Sequence, residues 1–316
     1  MSQSVSRPRH HIPGWVFRFM LVLAAAIWGL GTVVIKDTVD TFPPCWLVGI
    51  RFTSAGIILA LVFWKQTVKH LTLDHFLPSF ILGVLLALSY GFNSTGLTDT
   101  TASKSAFLTA TYCILVPFIS WVAMKQRPHI HNILAAILCM VGIWFVSMEP
   151  GAGFSLGFGD AVTLLSAFFL GLHLTFVSKF APGRDMAVLT AFQFIVSGVL
   201  TAIFGAFTEP WPTTESFNMS TIVNLGYLII FASCIALMLQ NVGLAHVAPA
   251  PGALLLATES VFGVVFSVMF LGEVLSARLL IGFVFIGIGI LVSEVVPQLR
   301  SKKPPTEKEI EEAGSC

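Results

Sequence analysis

Charge is what this sequence has least of. Only 10% of its 316 residues are Asp, Glu, Lys or Arg, whereas a soluble domain draws about a quarter of its residues from those four. With 56% hydrophobic residues and a mean hydropathy of +0.88, the chain cannot furnish a water-facing surface and is expected in a lipid bilayer. The net charge of +1 provides no basic field, and Lys and Arg do not interleave with stacking aromatics, which excludes nucleic acid as a partner. Cysteine is equally uninformative as a framework. Cys45, Cys113, Cys139 and Cys234 lie in or beside apolar runs, no CxxC pair occurs, and Cys316 leaves an odd number, so neither a disulfide scaffold nor a metal site is expected.

What is present is a succession of apolar runs. A helix needs about 20 apolar residues to cross a hydrocarbon core. Ten runs qualify, near 15–36, 44–64, 76–97, 104–124, 131–149, 158–179, 186–207, 220–243, 250–272 and 278–297. Pro43-Pro44, Pro128, Pro150-Gly151, Pro182-Gly183, Pro210-Trp211-Pro212 and Pro249-Ala250-Pro251 separate them, because proline lacks the helical donor and restrains its predecessor. The first run is longer than a cleavable signal h-region and reads as a retained helix. Most basic residues fall on one side of this scheme, among them Arg7, Arg9, Lys65, Lys69, Lys125, Arg127, Lys179, Arg184 and Arg300. The positive-inside rule therefore puts both termini in the cytoplasm.

The chain also repeats itself. Slid along its own length, Gly96–Ser147 falls on Gly243–Glu294 without a gap, pairing Ala110-Thr111 with Ala257-Thr258 and Tyr112 with Glu259. Earlier in each half, Gly29 falls on Gly171 and Arg51 on Gln193. Five spans per copy is an odd number, so the second copy enters the membrane from the opposite side, as in inverted-repeat transporters. The expected layout is all-α: an N-terminal cytoplasmic segment 1–14, a five-helix repeat 15–149, an inverted five-helix repeat 150–297 and a charged, poorly ordered cytoplasmic tail 298–316.

Trp28-Gly29 with Ile35-Lys36, Pro43-Pro44 and Arg51-Phe52, the run Thr101 to Phe107, Thr258-Glu259-Ser260 and Leu271-Gly272-Glu273 together resemble the drug/metabolite transporter superfamily, EamA type. The resemblance covers nearly the whole chain. It implies a ten-helix secondary transporter that exports or exchanges small metabolites such as amino acids, in a bacterial inner membrane, with no cofactor and no nucleotide hydrolysis. The missing GxxxxGK[ST] loop agrees with the last point. Family members often carry Glu-Pro where this chain has Glu259-Ser260, which puts a helix break there in doubt.

Ionisable groups inside a membrane cost at least about 2.5 kcal/mol unless they face a cavity or partner, so they mark functional candidates. Glu259 is expected to be the one acidic side chain deep in a span, able to bind an ammonium group or take a proton. His173 is the second candidate for either role, against a structural interhelical hydrogen bond. Trp28, Thr32 and Lys36 share one face of the first span, with Lys36 either gating or snorkelling to the interface. Tyr90 and Asn93 share a face, Gln240 and Asn241 sit at corresponding depth in the second repeat, and Tyr112 is the repeat partner of Glu259. Trp28, Tyr90, Asn93, Tyr112, His173, Gln240 and Glu259 are thus the expected substrate-binding set, with Lys36, Pro117 and Glu259 as gating or coupling residues and no catalytic residue. Arg51 is expected in a structural ion pair or at an interface.

Gly157-Phe158-Gly159-Asp160 matches the GxGD of intramembrane aspartyl proteases, which need a second carboxylate sharing a proton. No second Asp lies inside a span, and GxSG and HExxH are absent, so the enzyme readings are weaker. A membrane scaffold or receptor would gain little from so many buried polar groups.

Overall fold

The computed structural model describes residues 13–70, 72–125, 127–149, 153–154 and 157–301. The expected end segments 1–14 and 298–316 fall largely outside them.

Among the described residues, seven helices are long and apolar enough to cross a membrane. They are α1 (Gly14–Val39), α2 (Pro44–Val62), α4 (Leu73–Leu97), the stacked pair α5 (Ala102–Ala110) and α6 (Tyr112–Met124), α8 (Phe158–Phe180), α9 (Met186–Thr208), and the composite helix formed by α10 (Met219–Tyr227), a π-helical stretch Leu228–Ile235 and α11 (Ala236–Leu244). A short α3 (Trp64–Lys69) follows α2. Where spans are expected at 131–149, 250–272 and 278–297, the apolar helices are shorter, over Ile130–Gly142, Glu259–Leu271 and Leu280–Gly289. They belong to α7 (Ile130–Ser147), the pair α12 (Pro249–Leu256) and α13 (Glu259–Leu271), and α14 (Ala277–Ser301). One departure from the all-α expectation is a two-residue antiparallel ladder, β1 (Met148–Glu149) with β2 (Gly153–Phe154).

Local chemistry sets the helix ends. Pro44 occupies the first turn of α2 and Pro249 that of α12, positions where the missing N–H costs nothing. Thr101 accepts from the Lys104 N–H, Asp185 from those of Ala187 and Val188, and Asn218 from that of Thr221, each supplying an orphan donor at a helix start. At the far ends of α6 and α13 the chain turns through left-handed residues, Lys125 at φ 59° and Gly272 at φ 65°.

Helices in lipid gain little from hydrophobic burial against one another, so close contact at small residues has to hold them together. The most extensive pairings are α2 with α9, α7 with α14, α4 with α8 and α9, and α1 with α13 and α11. This pattern maps onto itself when the halves are exchanged. On α2, Gly56 lies against Ala191 and Ile195 of α9, and on α9, Gly198 lies against Gly49 and Thr53 of α2. Gly29 of α1 meets Phe262 and Gly263 of α13, and its repeat partner Gly171 of α8 meets Leu115, Val116 and Ile119 of α6. Between these crossings the core is filled by Phe52, Phe194, Leu82 and Leu86, all fully buried.

Candidate functional site

Two helix interruptions lie at corresponding places. Thr111 separates α5 from α6, and Ala257-Thr258 separates α12 from α13. At each, the threonine hydroxyl bonds back to the carbonyl three residues earlier, Thr111 Oγ1 to Leu108 O at 2.7 Å and Thr258 Oγ1 to Leu255 O at 2.6 Å. The threonine N–H groups also turn to those same carbonyls, at 3.2 and 3.3 Å. Such local competition tightens the helix and lets it break. The break before Glu259 therefore needs no proline, contrary to the doubt raised by Ser260, whose own hydroxyl reinforces it through Ala257 O at 2.7 Å. Pro117, expected as a gating or coupling residue, is buried inside α6, beyond the break. The consequence is that Tyr112 and Glu259 each begin a helix, where a carboxylate is favoured by the dipole.

A cavity lies where these helices meet. Its walls include Trp28, Tyr90, Asn93, Tyr112, Gln240 and Glu259, so six of the expected binding residues converge on one space. Trp28 donates from Nε1 to Ala232 O at 2.7 Å, which fixes its ring against the wall. Thr32 donates to Trp28 O at 3.2 Å and reaches Glu259 Oε1 at 3.5 Å. Asn93 donates from Nδ2 to Thr109 Oγ1 at 2.9 Å. Gln240 donates from Nε2 to Asn241 Oδ1 at 3.1 Å, while its Oε1 is buried without a hydrogen-bond partner. Ser166 Oγ, on the same lining, is likewise buried and unpartnered.

The remaining expected residues lie elsewhere. His173 is fully buried between α8 and α9, its Nε2 2.9 Å from Gln193 Oε1, and does not line the cavity. Asn241 donates to Thr190 Oγ1 at 2.8 Å, an interhelical tie. Lys36 donates to Leu97 O at 3.0 Å and pairs with Asp40 at 3.4 Å, tying the end of α1 to the end of α4.

Arg51 requires a correction. Neither ion-paired nor at an interface, it is 1% exposed and forms part of the cavity wall. Its Nε donates to Ser233 Oγ at 2.7 Å and NH2 to Ala232 O at 3.3 Å, and its guanidinium carbon lies 4.9 Å from the ring centroids of both Phe52 and Tyr90. The π-helical stretch makes this possible, since its wider hydrogen-bond ladder leaves Ala232 O available to both Trp28 and Arg51. Apolar periodicity does not distinguish that stretch from an ordinary helix, so sequence reasoning missed Ser233 and misread Arg51. Glu259 is half-buried on the cavity lining, and Asp160, at the start of α8, is 3% exposed. Asp160 pairs with Lys104 Nζ at 2.8 Å and accepts from Thr100 Oγ1 at 2.8 Å, joining the start of α5 to the start of α8.

Comparison with known proteins gives the frame for this cavity. The model of the EamA-like transporter family matches residues 17–148 and again 157–294. An uncharacterized transporter of Archaeoglobus fulgidus is 31% identical over 258 residues, covering 81% of this chain and 78% of its own length. An S-adenosylmethionine/S-adenosylhomocysteine transporter of Chlamydia muridarum is 23% identical, over 69% of this chain and 72% of its own. A crystal structure at 17% identity superimposes with a TM-score of 0.69 over 92% of this chain and 99% of the other, a likeness of fold. Seven apolar helices and these relatives together make the chain an integral multi-pass membrane protein.

Proposed function

Because the chain belongs to the EamA-like transporter family, we propose that it is a secondary transporter that moves small metabolites, amino acids or related amphiphilic compounds, through the cavity between its halves by alternating access. In this reading ten crossings form two inverted five-helix repeats, 15–149 and 150–297, with both termini in the cytoplasm and the chain in a bacterial inner membrane. The symmetric helix contacts support it, because exchange of the halves carries one set of pairings into the other. The direction fits export, as the resemblance to metabolite exporters implies.

The observation that carries the proposal is the cavity itself. Its lining comes from both halves, with Tyr112 and Glu259 at equivalent helix starts. Glu259 offers a carboxylate to an ammonium group or a proton, and the rings of Trp28, Tyr90 and Tyr112 suit an amphiphilic body. His173, held by Gln193 outside the cavity, is assigned to packing.

No enzymatic role is assigned. Asp160 of the GxGD sequence is paired with Lys104, and the neighbouring Asp99 accepts the Gly159 N–H at 3.1 Å, so neither carboxylate is set up to share a proton with the other. The test is uptake of amino acids into proteoliposomes with and without an imposed pH gradient. Glu259→Gln is expected to lower the rate at least about tenfold, the size of losing one charge-assisted contact. Rates equal to wild type would remove both the site and proton coupling.

A further inference from the structure

Arg51 and Glu259 line the same cavity, yet no salt bridge joins them among the described residues. A guanidinium this deep is costly unless compensated. Its direct hydrogen bonds and ring contacts are to neutral groups: the Ser233 hydroxyl, the Ala232 carbonyl and the faces of Phe52 and Tyr90. These contacts orient the fork without neutralising it. On the other side of the charge balance, Glu259 receives one long hydrogen bond from Thr32 at 3.5 Å. Two opposite charges that line one cavity without forming a salt bridge with each other are complementary to a ligand that carries both charges itself. The unpartnered Gln240 Oε1 adds a buried acceptor to the same lining, and an acceptor calls for a donor such as an ammonium group.

We propose that Arg51 is the carboxylate anchor of the cavity and that its separation from Glu259 selects zwitterions, compounds bearing both a carboxylate and a cationic centre. This rests on the transporter reading above and names the substrate class for it. Arginine suits the role because its planar fork binds a carboxylate bidentately, which a lysine ammonium cannot do. The repeat places Gln193 opposite Arg51 and Tyr112 opposite Glu259, so each half contributes one charge and neither half contains a complete site.

The test is calorimetric binding to the purified full-length protein, with methionine and phenylalanine as probes, each compared with its carboxamide and its N-acetyl derivative. Wild type is expected to bind the free amino acid at least about tenfold more tightly than either derivative. Arg51→Gln is expected to weaken the amino acid about tenfold while leaving the carboxamide unchanged, so discrimination between the two disappears. Glu259→Gln is expected to remove discrimination against the N-acetyl form. Should Arg51→Gln not fold, Arg51→Lys serves instead, with an acid-to-amide ratio between wild type and unity, and the wild-type panel is informative alone. The proposal is overturned if wild type does not discriminate, if it binds neither amino acid, or if the Arg51 variants keep the wild-type ratio. In those cases proteoliposome transport by wild type that is lost in Glu259→Gln would leave the transporter reading standing, whereas absence of transport by wild type would remove the reading itself.

Discussion

The two halves of this molecule keep the same scaffold and diverge in the chemistry mounted on it. Gly56 and Gly198 are repeat equivalents, and each admits the other's helix at the same crossing. The helix interruptions at Thr111 and Thr258 are equivalent too, down to the hydroxyl that bonds back three residues. Away from these places the equivalence fails. Arg51 has Gln193 as its counterpart, Trp28 has Leu170, and the π-helical stretch Leu228–Ile235 corresponds to ordinary helix in α4. The ends diverge as well. Where α1 stops, Lys104 and Asp160 form a largely buried ion pair across the halves. Exchange of the halves turns those positions into Pro251 and Arg18, which do not pair, and at the corresponding end Phe17 stacks on His246 at 3.9 Å. The halves share the backbone crossings and differ in the cavity lining and in the contacts at their ends.

The sharpest way to break this comparison is at the shared crossing. A Cβ on Gly56 would lie 2.8 Å from Ile195 N, and one on Gly198 would collide with Thr53 N. Gly56→Ala and Gly198→Ala should each cost about 3 kcal/mol, the upper range for overpacking. Thermal unfolding in detergent should show both, with similar size. A large effect in one alone would mean that the crossing is not shared.

The two ends should behave in the opposite way. Lys104→Met leaves the Asp160 carboxylate, 4% exposed, with the hydrogen bond from the Thr100 hydroxyl at 2.8 Å. Loss of about 2 kcal/mol is expected, below the 3–5 of a fully buried pair because Lys104 keeps some contact with solvent. The exposed counterpart Arg18, changed to Ala, should move stability by less than about 0.5 kcal/mol. Equal effects at Lys104 and Arg18 would contradict the asymmetry. If the pair also holds one side of the cavity shut, a cysteine placed at Thr109 should react faster with a membrane-impermeant thiol reagent in the Lys104→Met protein.

Much of this was legible before any coordinates. Apolar run length located the seven long membrane helices found among the described residues, because a bilayer demands about 20 residues and tolerates few charges. The repeat paired Tyr112 with Glu259, and both line the cavity. The scarcity of intramembrane polar groups made Trp28, Asn93 and Gln240 conspicuous. What was not legible depended on geometry that periodicity does not encode. Arg51 reads as an interfacial or paired cation until the π-helical stretch brings Ser233 and Ala232 O beneath it. His173 reads as a ligand until Gln193, on a different helix, occupies its ring nitrogen. The break before Glu259 was obscured by attention to proline, when threonine back-bonding does the same work.

The finest difference between the halves lies at a single backbone angle. Lys125 ends α6 at φ 59°, and its repeat equivalent Gly272 ends α13 at φ 65°. Glycine adopts the left-handed region freely, whereas a side chain there costs about 1–2 kcal/mol in the folded state. Lys125 is exposed, so no packing is lost by removing its side chain. Lys125→Gly should therefore stabilise the protein, but by less than the full strain, since glycine also loses more backbone entropy on folding. The net gain expected is about 0.5 kcal/mol, visible as a small rise in Tm, and Gly272→Lys should lower it by more. A fall in Tm for Lys125→Gly would show that the lysine ammonium contributes more at that helix end, where it meets the negative pole of the dipole, than its backbone strain takes away.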